Sequence, residues 1–460
     1  MFSLLLYHFF YYNSIKKTIC ILFNKFICYN LIYLFKVGDG MEYKIIKSKS
    51  NKNIELYQKY KMFSHDFLFY YAIIVLYLTI TKRFSISEIM YLSALHSFFC
   101  IFLYFIGNYV VDKINLKYSI ILGNIFLIIN IIIYILGNNF FIFILANFFS
   151  AFGFTLKNIS ESSILYSSLK KVNNRSDFSL IEGKSNSKFH YYDAISSLVA
   201  GFLFVFNNYL PLILCLSNLL ISLIISSKFI NIDPIDKNKK YKLKEITSQT
   251  KEILISKRLR SLYLFSLFFT GIVCVSTTLY KAILIDIGIK GQYITIIVCI
   301  FSIFVGIGAK KLFDIEKVMK NKTLKFLSMG FILSLFFIGI TSAFNKLNLL
   351  SLSIVILCLS AMGLFQGAYR VALKKYVLSF TTHKIRGIIT STYYIAENIG
   401  TSLLSFLIGI LLNYYSTATS CILFATLSFI VISIILIYMN GKIGLKPEEY
   451  DSKEINNFKI

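Results

Sequence analysis

The sequence contains no tryptophan and only three prolines, and charged residues make up just 15% of its 460 positions. A soluble protein of this length needs more polar surface than that to cover its core. The hydrophobic residues, 57% of the chain, occur in long runs rather than in the spaced stripes of soluble helices. The composition therefore argues against a soluble domain and predicts a helical membrane protein.

The sequence also lacks the motifs of several other protein classes. No G-x-x-x-x-G-K-S/T phosphate-binding loop occurs, which argues against an ATP-driven pump. The five histidines are scattered and form no H-E-x-x-H helix, so an intramembrane enzyme is the weaker alternative. No two of the eight cysteines form a C-x-x-C pair, and we interpret them as small apolar residues. We expect no metal site, no cofactor and no catalytic residues.

Twelve stretches are long and apolar enough to cross a bilayer as helices, which takes about 20 residues each. The first six, numbered in chain order, are 64–82, 87–107, 118–136, 139–160, 189–206 and 209–228. The second six are 261–283, 291–309, 326–343, 347–370, 387–411 and 416–439. The sequence thus predicts an all-α membrane protein with six-helix bundles at 64–228 and 261–440, joined by a basic cytoplasmic loop at 229–260.

The positions of lysine and arginine predict the orientation in the membrane. Alternate loops, beginning with the one after span two, hold 29 of these residues, whereas the opposite loops hold five. Because basic loops stay in the cytoplasm, the segments 41–63 and 441–460 are expected to be cytoplasmic. The net charge of +26 then reflects topology, and nucleic acid is not an expected partner. Lys281 is expected near the outer mouth, with its ammonium reaching the interface.

The first 40 residues carry two further apolar stretches, 1–12 and 18–35. The first lacks the cleavage site of a signal peptide, and counting the second as a span would give an odd number of spans. A Gly-Asp-Gly run directly precedes Met41, and its codons can form a purine-rich signal ahead of a start codon. We therefore hypothesise that Met41 is the natural start and that residues 1–40 are upstream sequence.

The loop between spans two and three carries a family motif. Residues 107–117 read Gly-Asn-Tyr-Val-Val-Asp-Lys-Ile-Asn-Leu-Lys, which resembles the G-x-L-x-D-R/K-x-G-x-R/K signature of the major facilitator superfamily. Asp112, Lys113 and Lys117 take its acidic and basic positions, and Asn115 takes its second glycine position. Asparagine tolerates positive φ better than most residues, so Asn115 can still form the tight turn. The resemblance covers about 64–440.

Two features found in that family are missing from this sequence. Span four has no arginine, since Lys157 near its cytoplasmic end is its only basic residue. Span five lacks the proline-containing glycine motif of drug antiporters. Both absences put a specific assignment to proton-coupled drug export in doubt.

The resemblance implies a major facilitator fold, in which two pseudo-symmetric six-helix bundles rock about a central site. It implies a monomeric secondary transporter in a bacterial plasma membrane, and the abundance of Ile, Lys, Asn, Tyr and Phe indicates an AT-rich genome. The partners would be the lipid bilayer and a small organic substrate, with export favoured and a proton or sodium gradient as driving force. A non-transporting sensor and a lipid flippase on the same scaffold are the alternatives.

Polar residues inside apolar spans are the candidates for transport, because a charge in the hydrocarbon is costly unless it is paired or hydrated. In span eleven, Tyr394, Glu397 and Asn398 share one helix face. This face either lines a water-filled cavity, where Glu397 binds substrate or carries protons, or forms a polar seam between helices. The resemblance places spans one, four, seven and ten around the cavity, and the candidates in spans one, seven and ten are Tyr77, Thr277 and Gln366. Arg370 shares the polar stripe of span ten with Gln366, and Asp66 stands at the cytoplasmic start of span one.

A charge cluster is predicted on the cytoplasmic face. Asp112 is expected to meet the start of span eleven, where the positive end of the helix dipole and Arg386 attract its carboxylate. Lys157 and Glu161 are four residues apart and are expected to pair, or Lys157 pairs with Asp112 instead. The predicted cluster would latch the two bundles in the outward-open state and consists of Asp112, Lys113, Lys117, Lys157, Glu161 and Arg386.

Overall fold

The computed structural model of the protein describes residues 47–64, 66–172, 178–231, 257–344, 349–379 and 386–440. Some side chains within these ranges, including those of residues 112 and 386–391, lie outside the described part. The regular secondary structure of the described ranges is helical throughout. The predictions for residues 1–40, for most of the loop 229–260 and for the tail 441–460 fall outside the described residues.

The helices follow one another in two groups. Helix α1 covers 47–64, and a broken segment with the short α2 (Ile74–Leu76) follows it. The first half continues with α3 (Ile86–Ile114), α4 (Leu116–Leu136), α5 (Phe140–Lys171), α6 (Phe178–Phe206) and α7 (Leu210–Ser227). The second half consists of α8 (Lys257–Asp286), α9 (Gly291–Met319), α10 (Thr323–Ala343), α11 (Leu349–Ser379), α12 (Arg386–Tyr414) and α13 (Thr417–Met439).

Eleven of these helices, α3 to α13, are long and apolar enough to cross a bilayer. They correspond to predicted spans two to twelve, so the chain is a multi-pass helical membrane protein, as expected. The helix of span five is longer than the predicted 189–206, since α6 begins at Phe178. Hydropathy does not predict the first turns of α6 because they are polar. They contact protein instead of lipid: Glu182, for example, accepts a hydrogen bond from Tyr57 of α1.

Predicted span one, 64–82, is not a regular helix, which corrects the expectation of twelve regular spans. Residues 68–73 form turns, Phe69 is left-handed with φ of 65°, and a π-helix over Tyr77–Thr81 follows α2. Broken backbone inside a membrane needs other groups to bind its carbonyl oxygens. Three side chains from other helices do so: Lys157 donates to Ser64, Asn218 to Phe63 and Lys281 to Tyr71.

Helix α1 lies in the segment that hydropathy predicts only as cytoplasmic. Its residues Tyr57 and Tyr60 are fully buried and pack with Ile120, Ile164 and Phe229. These contacts place α1 against the ends of α4, α5 and α7. The helix is therefore part of the folded first half rather than a free extension of it.

Polar contacts fix α1 in the same place. The Asn53 side chain bonds both the carbonyl and the amide of Ile230, at 2.8 and 2.9 Å. Tyr57 donates to the carboxylate of Glu182. Burial raises the pKa of the Tyr57 phenol well above its usual value, so it remains a donor at neutral pH. These bonds tie α1 to the start of α6 and to the chain just after α7.

The tight turn expected at Asn115 is confirmed. Asn115 separates α3 from α4 and has φ of 77° and ψ of 154°, a positive-φ conformation that favours glycine. Its carbonyl oxygen accepts a 2.8 Å hydrogen bond from the Ser119 hydroxyl. The motif between spans two and three thus makes its turn without a glycine.

Two helix pairs join the halves, since α3 packs along α12 and α6 packs along α9. Within the halves, α4 contacts α5 and α7, while α10 contacts α11 and α13. The α6–α9 pair approaches closely, because a Cβ atom on Gly201 would lie 1.6 Å from the Thr295 hydroxyl oxygen. Small residues at such crossings are the usual means of close packing in membranes.

Hydrogen bonds across the α3–α12 pair lie towards the end opposite the basic loops. Ser87 donates to the carbonyl of Gly409 at 2.7 Å, and Asn413 donates to the Tyr91 hydroxyl at 3.1 Å. Both bonds lie where α3 begins and α12 ends. The two halves are therefore hydrogen-bonded to each other at that end.

Candidate functional site

Glu397 lies on α12 where that helix faces α8. Its Oε1 accepts hydrogen bonds from Thr270 at 2.8 Å, from Ser266 at 3.4 Å and from Tyr393 on its own helix. The Thr270 hydroxyl is also hydrogen-bonded to that of Tyr369 at 2.8 Å. Hydroxyl groups of the second half therefore converge on the carboxylate, as expected for a polar seam between helices.

Glu397 is also partly accessible to solvent. It interacts electrostatically with Arg370 of α11. The hydroxyl groups bonded to one carboxylate oxygen agree with the polar seam, and the cavity wall stays a prediction.

Arg370 occupies the space between the halves. It stands nine residues before α11 ends at Ser379, about 14 Å inside the helix end. Its side chain is exposed, yet it interacts electrostatically with Asp66 and Asp193 of the first half and with Glu397 of the second. Arg370 is thus an exposed cation that lies near carboxylates of both halves.

Asp66 and Asp193 supply the negative charge of the first half. Asp66 lies in the broken segment, where its Oδ1 accepts a 2.8 Å bond from the backbone N–H of Phe67. Asp193 on α6 accepts a 3.1 Å bond from Ser302 of α9, across the contact between the halves. Two carboxylates from one half thus face a carboxylate and a guanidinium from the other.

The expectation that Lys281 reaches the outer interface is wrong. Lys281 is only 2% exposed, and its ammonium donates a 2.8 Å hydrogen bond to the carbonyl of Tyr71. It also interacts electrostatically with Asp66 and Asp193. The broken backbone of span one provides an acceptor inside the bundle, and this acceptor directs the ammonium inward.

Three further predicted residues lie in the contact between the halves or on the face that carries Arg370. Tyr394 stacks on Tyr104 of α3 with ring centroids 5.5 Å apart. Thr277 accepts a 3.4 Å hydrogen bond from the hydroxyl of Tyr71. Gln366, one turn before Arg370, is 3% exposed, and its Oε1 has no hydrogen-bond partner among the described residues.

Asn398 and Tyr77 have local structural partners. Asn398 donates to the backbone carbonyl of Tyr394 at 2.8 Å, within its own helix. Tyr77 is fully buried and donates to the carbonyl of Tyr134 at 2.8 Å, in the core of the first half. The structure does not place Tyr77 in the charged group around Arg370.

The structure describes only part of the predicted latch. The side chains of Asp112 and Arg386 lie outside the described part, so their contact stays a prediction. Lys157 and Glu161 pair at 3.9 Å, as expected, but Lys61 of α1 is nearer to Glu161, at 2.6 Å. These three residues belong to the first half, so their pairing secures α1 on α5 and does not cross between the bundles.

Lys113 and Lys117 flank the tight turn between α3 and α4. The ammonium of Lys113 lies 4.7 Å from the ring centroid of Tyr109, and that of Lys117 lies 6.0 Å from that of Tyr118. Each ring belongs to a residue close in sequence to its lysine. Both lysines therefore lie on the basic face of the first half.

Of the charged group, Arg370 on the polar face of span ten and Asp66 at the start of span one belong to stripes that the resemblance points at the cavity, whereas Asp193 is absent from the residues predicted by sequence. The signal for all three is present, since each ionisable residue next to an apolar run carries a cost that function or pairing must offset. Predicted span ten ends at Arg370, which makes it resemble a loop residue, whereas α11 continues to Ser379. Asp193 lies near the start of predicted span five, where it reduces the apolar character of the span without marking a site.

The chemistry of this region is that of charges and hydroxyl groups. In the described ranges, no group of three or more His, Cys, Asp or Glu residues could hold a metal ion. The site offers binding of polar groups and a carboxylate that can exchange a proton.

No protein-family model matches the chain, and no curated protein matches it by sequence. Solved structures do match. The structure is similar to that of nucleoside transporter NupG, with a TM-score of 0.65 and 12% identity over 86% of this chain and 99% of that one. It is similar to a POT family transporter in complex with 5-aminolevulinic acid, with a TM-score of 0.63 and 13% identity over 88% of this chain and 96% of that one.

A POT family transporter in complex with a thioalcohol conjugated peptide is similar to the same degree, with a TM-score of 0.63 and 13% identity over 87% and 96% of the two chains. At these identities the likeness shows the fold alone. All three similar proteins are named as transporters. The chain thus shares the fold of these proteins.

Proposed function

We propose that the chain is a secondary transporter of the major facilitator superfamily that moves a small organic molecule across a membrane. The charged group between the halves carries this proposal: Arg370 and Glu397 from one half face Asp66 and Asp193 from the other. Such charges are costly inside a bilayer unless they are paired or hydrated. Binding of a polar solute at the contact between the halves would explain why these charged residues lie there.

Alternating access follows from how the halves meet. Bonds from Ser87 to Gly409 and from Asn413 to Tyr91 hold one end closed. If the basic loops are cytoplasmic, the closed end is the outer one, and the charged group opens to the cytoplasm. The recurrence of helix neighbours, α4 with α5 and α7 and α10 with α11 and α13, supports two related halves that rock against each other.

Glu397 is the proposed coupling residue. It has a titratable carboxylate, hydroxyl donors that stabilise the charge, and Arg370 close enough to sense it. A proton bound there would change the charge of the site and hence its affinity for a polar substrate. We propose a proton as the coupling ion, with sodium as the alternative.

The proposed substrate and direction rest on the similar structures and on the family resemblance. The similar structures include a nucleoside transporter and transporters bound to a peptide and to 5-aminolevulinic acid, so the fold does not choose among small polar molecules. Export from a bacterial cell through the plasma membrane, as a monomer, is what the family resemblance favours.

Solute exchange in proteoliposomes tests the proposal. The purified full chain would be reconstituted and assayed for counterflow of labelled nucleosides, short peptides and amino acids, with protein-free liposomes as control. We expect saturable exchange of at least one compound. A folded protein that moves none of them, but scrambles a fluorescent phospholipid, would be a flippase. A folded protein with neither activity would support the sensor alternative.

A further inference from the structure

We propose that Arg370 binds an anionic group of the transported compound, a carboxylate or a phosphate. This inference rests on the proposed function and adds the substrate class to it. Three observations support it: the accessibility of the Arg370 side chain, its lack of direct protein partners, and a second unfilled polar atom on the same helix face.

The other basic side chains inside the bundle are already bonded to protein groups. Lys157 donates to the carbonyl of Ser64, Lys281 to that of Tyr71, and Lys82 to that of Gly137. All three lysines are buried. They satisfy backbone carbonyls that would otherwise be unpaired in a membrane, so their roles belong to the fold.

Arg370 differs from these lysines in each respect. Its side chain is exposed, and within the described residues its guanidinium makes no hydrogen bond or ion pair. A guanidinium carries five N–H donors in a planar fork that matches two oxygens of a carboxylate or a phosphate. A fork held open between two halves of a transporter-like fold is suited to a ligand that supplies those oxygens.

The protein carboxylates nearby do not occupy this fork. Asp66, Asp193 and Glu397 interact with Arg370 electrostatically, and each has a nearer hydrogen-bond partner of its own. Those partners are the N–H of Phe67, the hydroxyl of Ser302 and the hydroxyl of Thr270. The carboxylates thus balance the positive charge while the donor atoms of Arg370 stay open.

Gln366 adds a second contact point one turn earlier on α11. Residues four apart lie on the same helix face, so Gln366 and Arg370 face the same side. The Oε1 of Gln366 is buried and unpartnered in the described structure, which leaves an acceptor for a ligand hydroxyl or amine. The phenol of Tyr71 is also close enough to interact with Arg370. Together these groups fit a small organic anion with a polar donor and an apolar or aromatic part.

Ligand-induced stabilisation of the purified full chain tests the inference. The probes are matched pairs that differ in one anionic group: dipeptides and their C-terminal amides, monocarboxylates and their amides, nucleosides and their 5′-monophosphates. We expect an anionic member of at least one pair to raise the melting temperature more than its neutral partner. The carboxylate and phosphate pairs then identify which anion the site takes.

Variants connect the effect to Arg370. In Arg370→Gln the affinity for the anionic probe should fall by at least about tenfold, as expected for loss of a charge-assisted hydrogen bond. Arg370→Lys keeps the positive charge but lacks the planar guanidinium, so it should retain part of the affinity for the anionic probe. This variant replaces Arg370→Gln in the test if the glutamine variant does not fold. Arg260→Gln is the matched control, because Arg260 bonds the Tyr438 hydroxyl elsewhere on the protein. Equal stabilisation by neutral partners, no stabilisation by any anionic probe, or unchanged affinity in both Arg370 variants would overturn the inference.

Counterflow in proteoliposomes separates this inference from the proposed function. Arg370-dependent anion binding without any solute exchange would leave the anion site standing and refute transport. Exchange of a neutral or cationic solute that Arg370→Gln leaves unchanged would support transport and refute the anion site.

Discussion

Lys281 of α8 donates a 2.8 Å hydrogen bond to the backbone carbonyl of Tyr71, and its ammonium lies 3.9 Å from the centre of the Tyr71 ring. Tyr71 belongs to the first half and Lys281 to the second. The Tyr71 hydroxyl also donates to Thr277 of α8, at 3.4 Å. The two halves are thus joined at the point where the backbone of the first span is broken.

Replacing Lys281 with methionine should destabilise the protein, because the Tyr71 carbonyl would lose its donor inside the bundle. A buried acceptor left unpaired costs about 1–3 kcal/mol. Thermal unfolding in detergent measures the effect. Lys290→Met is the control, because Lys290 is exposed and precedes α9 without a side-chain cap bond. Equal melting temperatures for the two variants would contradict the structural role of Lys281.

Glu397→Gln should preserve the fold and abolish proton-driven accumulation. Glutamine keeps the size of the side chain and an oxygen for the hydroxyls of Thr270, Ser266 and Tyr393, so the main loss is the titratable group. We expect counterflow exchange to persist while uptake or efflux driven by a pH gradient is lost. Glu88→Gln is the control, since glutamine can replace glutamate in the capping box of α3. Unimpaired proton-driven transport would leave Glu397 as part of a polar seam only.

The sequence predicts spans two to twelve well, because a chain in a bilayer must satisfy its backbone within helices. It does not predict the break at Phe69, since no glycine or proline lies anywhere in 64–82. The carbonyls of Phe63 and Ser64 at the end of α1 and of Tyr71 in the break are bound by side chains that are distant in the chain, those of Asn218, Lys157 and Lys281. A local pattern cannot report contacts of this kind. The same holds for α1, whose buried face is recognised only when its partners are in place.

The candidate site was predictable only in part, for a related reason. Glu397 is a lone carboxylate in an apolar helix, and that signal is local. Arg370 and Asp193 carry the same kind of signal. Hydropathy, however, places Arg370 at the end of predicted span ten and makes Asp193 an interruption near the start of predicted span five. Their proximity to one another depends on how several helices pack together. The spacing of residues along one helix carries no information about that packing.

Lys61→Met should destabilise the protein strongly, whereas Lys59→Met should not. Lys61 pairs with Glu161 at 2.6 Å with side chains 7% and 3% exposed, and Lys59 pairs with Glu55 at 2.7 Å with side chains 64% and 69% exposed. Removing one partner of a buried pair costs roughly 3–5 kcal/mol. The loss should be near the low end because Lys157 remains 3.9 Å from Glu161. Melting curves that coincide for the two variants would argue against α1 as a stabilising element.

Asp112→Asn tests the cytoplasmic latch. If Asp112 binds the positive end of α12 beside Arg386, loss of its charge should weaken closure of the basic end and favour the inward-open state. Distances between spin labels on the two halves would report the populations, and counterflow would report the rate. Lys59→Gln serves as comparison, because Lys59 lies outside the predicted latch and pairs with Glu55 of its own helix on the surface. Unchanged populations and rates in Asp112→Asn would rule the latch out.

Gly400→Ala should separate α8 from α12 and weaken the environment of Glu397. A Cβ atom on Gly400 would lie 1.7 Å from the carbonyl oxygen of Leu267, so the backbone of one helix must move. Overpacking of this kind typically costs about 1–3 kcal/mol. Gly291→Ala is the matched control, since its nearest neighbour, a methyl group of Leu76, would lie 3.5 Å away.

The same variant distinguishes coupling from simple loss of stability. Gly400 is one turn from Glu397, so moving α12 away from α8 lengthens the hydrogen bond from Thr270 to the carboxylate. If that contact tunes proton exchange, Gly400→Ala should reduce pH-driven transport more than counterflow, in the direction of Glu397→Gln but to a smaller extent. Gly291→Ala should alter neither assay. Equal losses in both assays for Gly400→Ala would mean that the close helix contact maintains the fold without contributing to coupling.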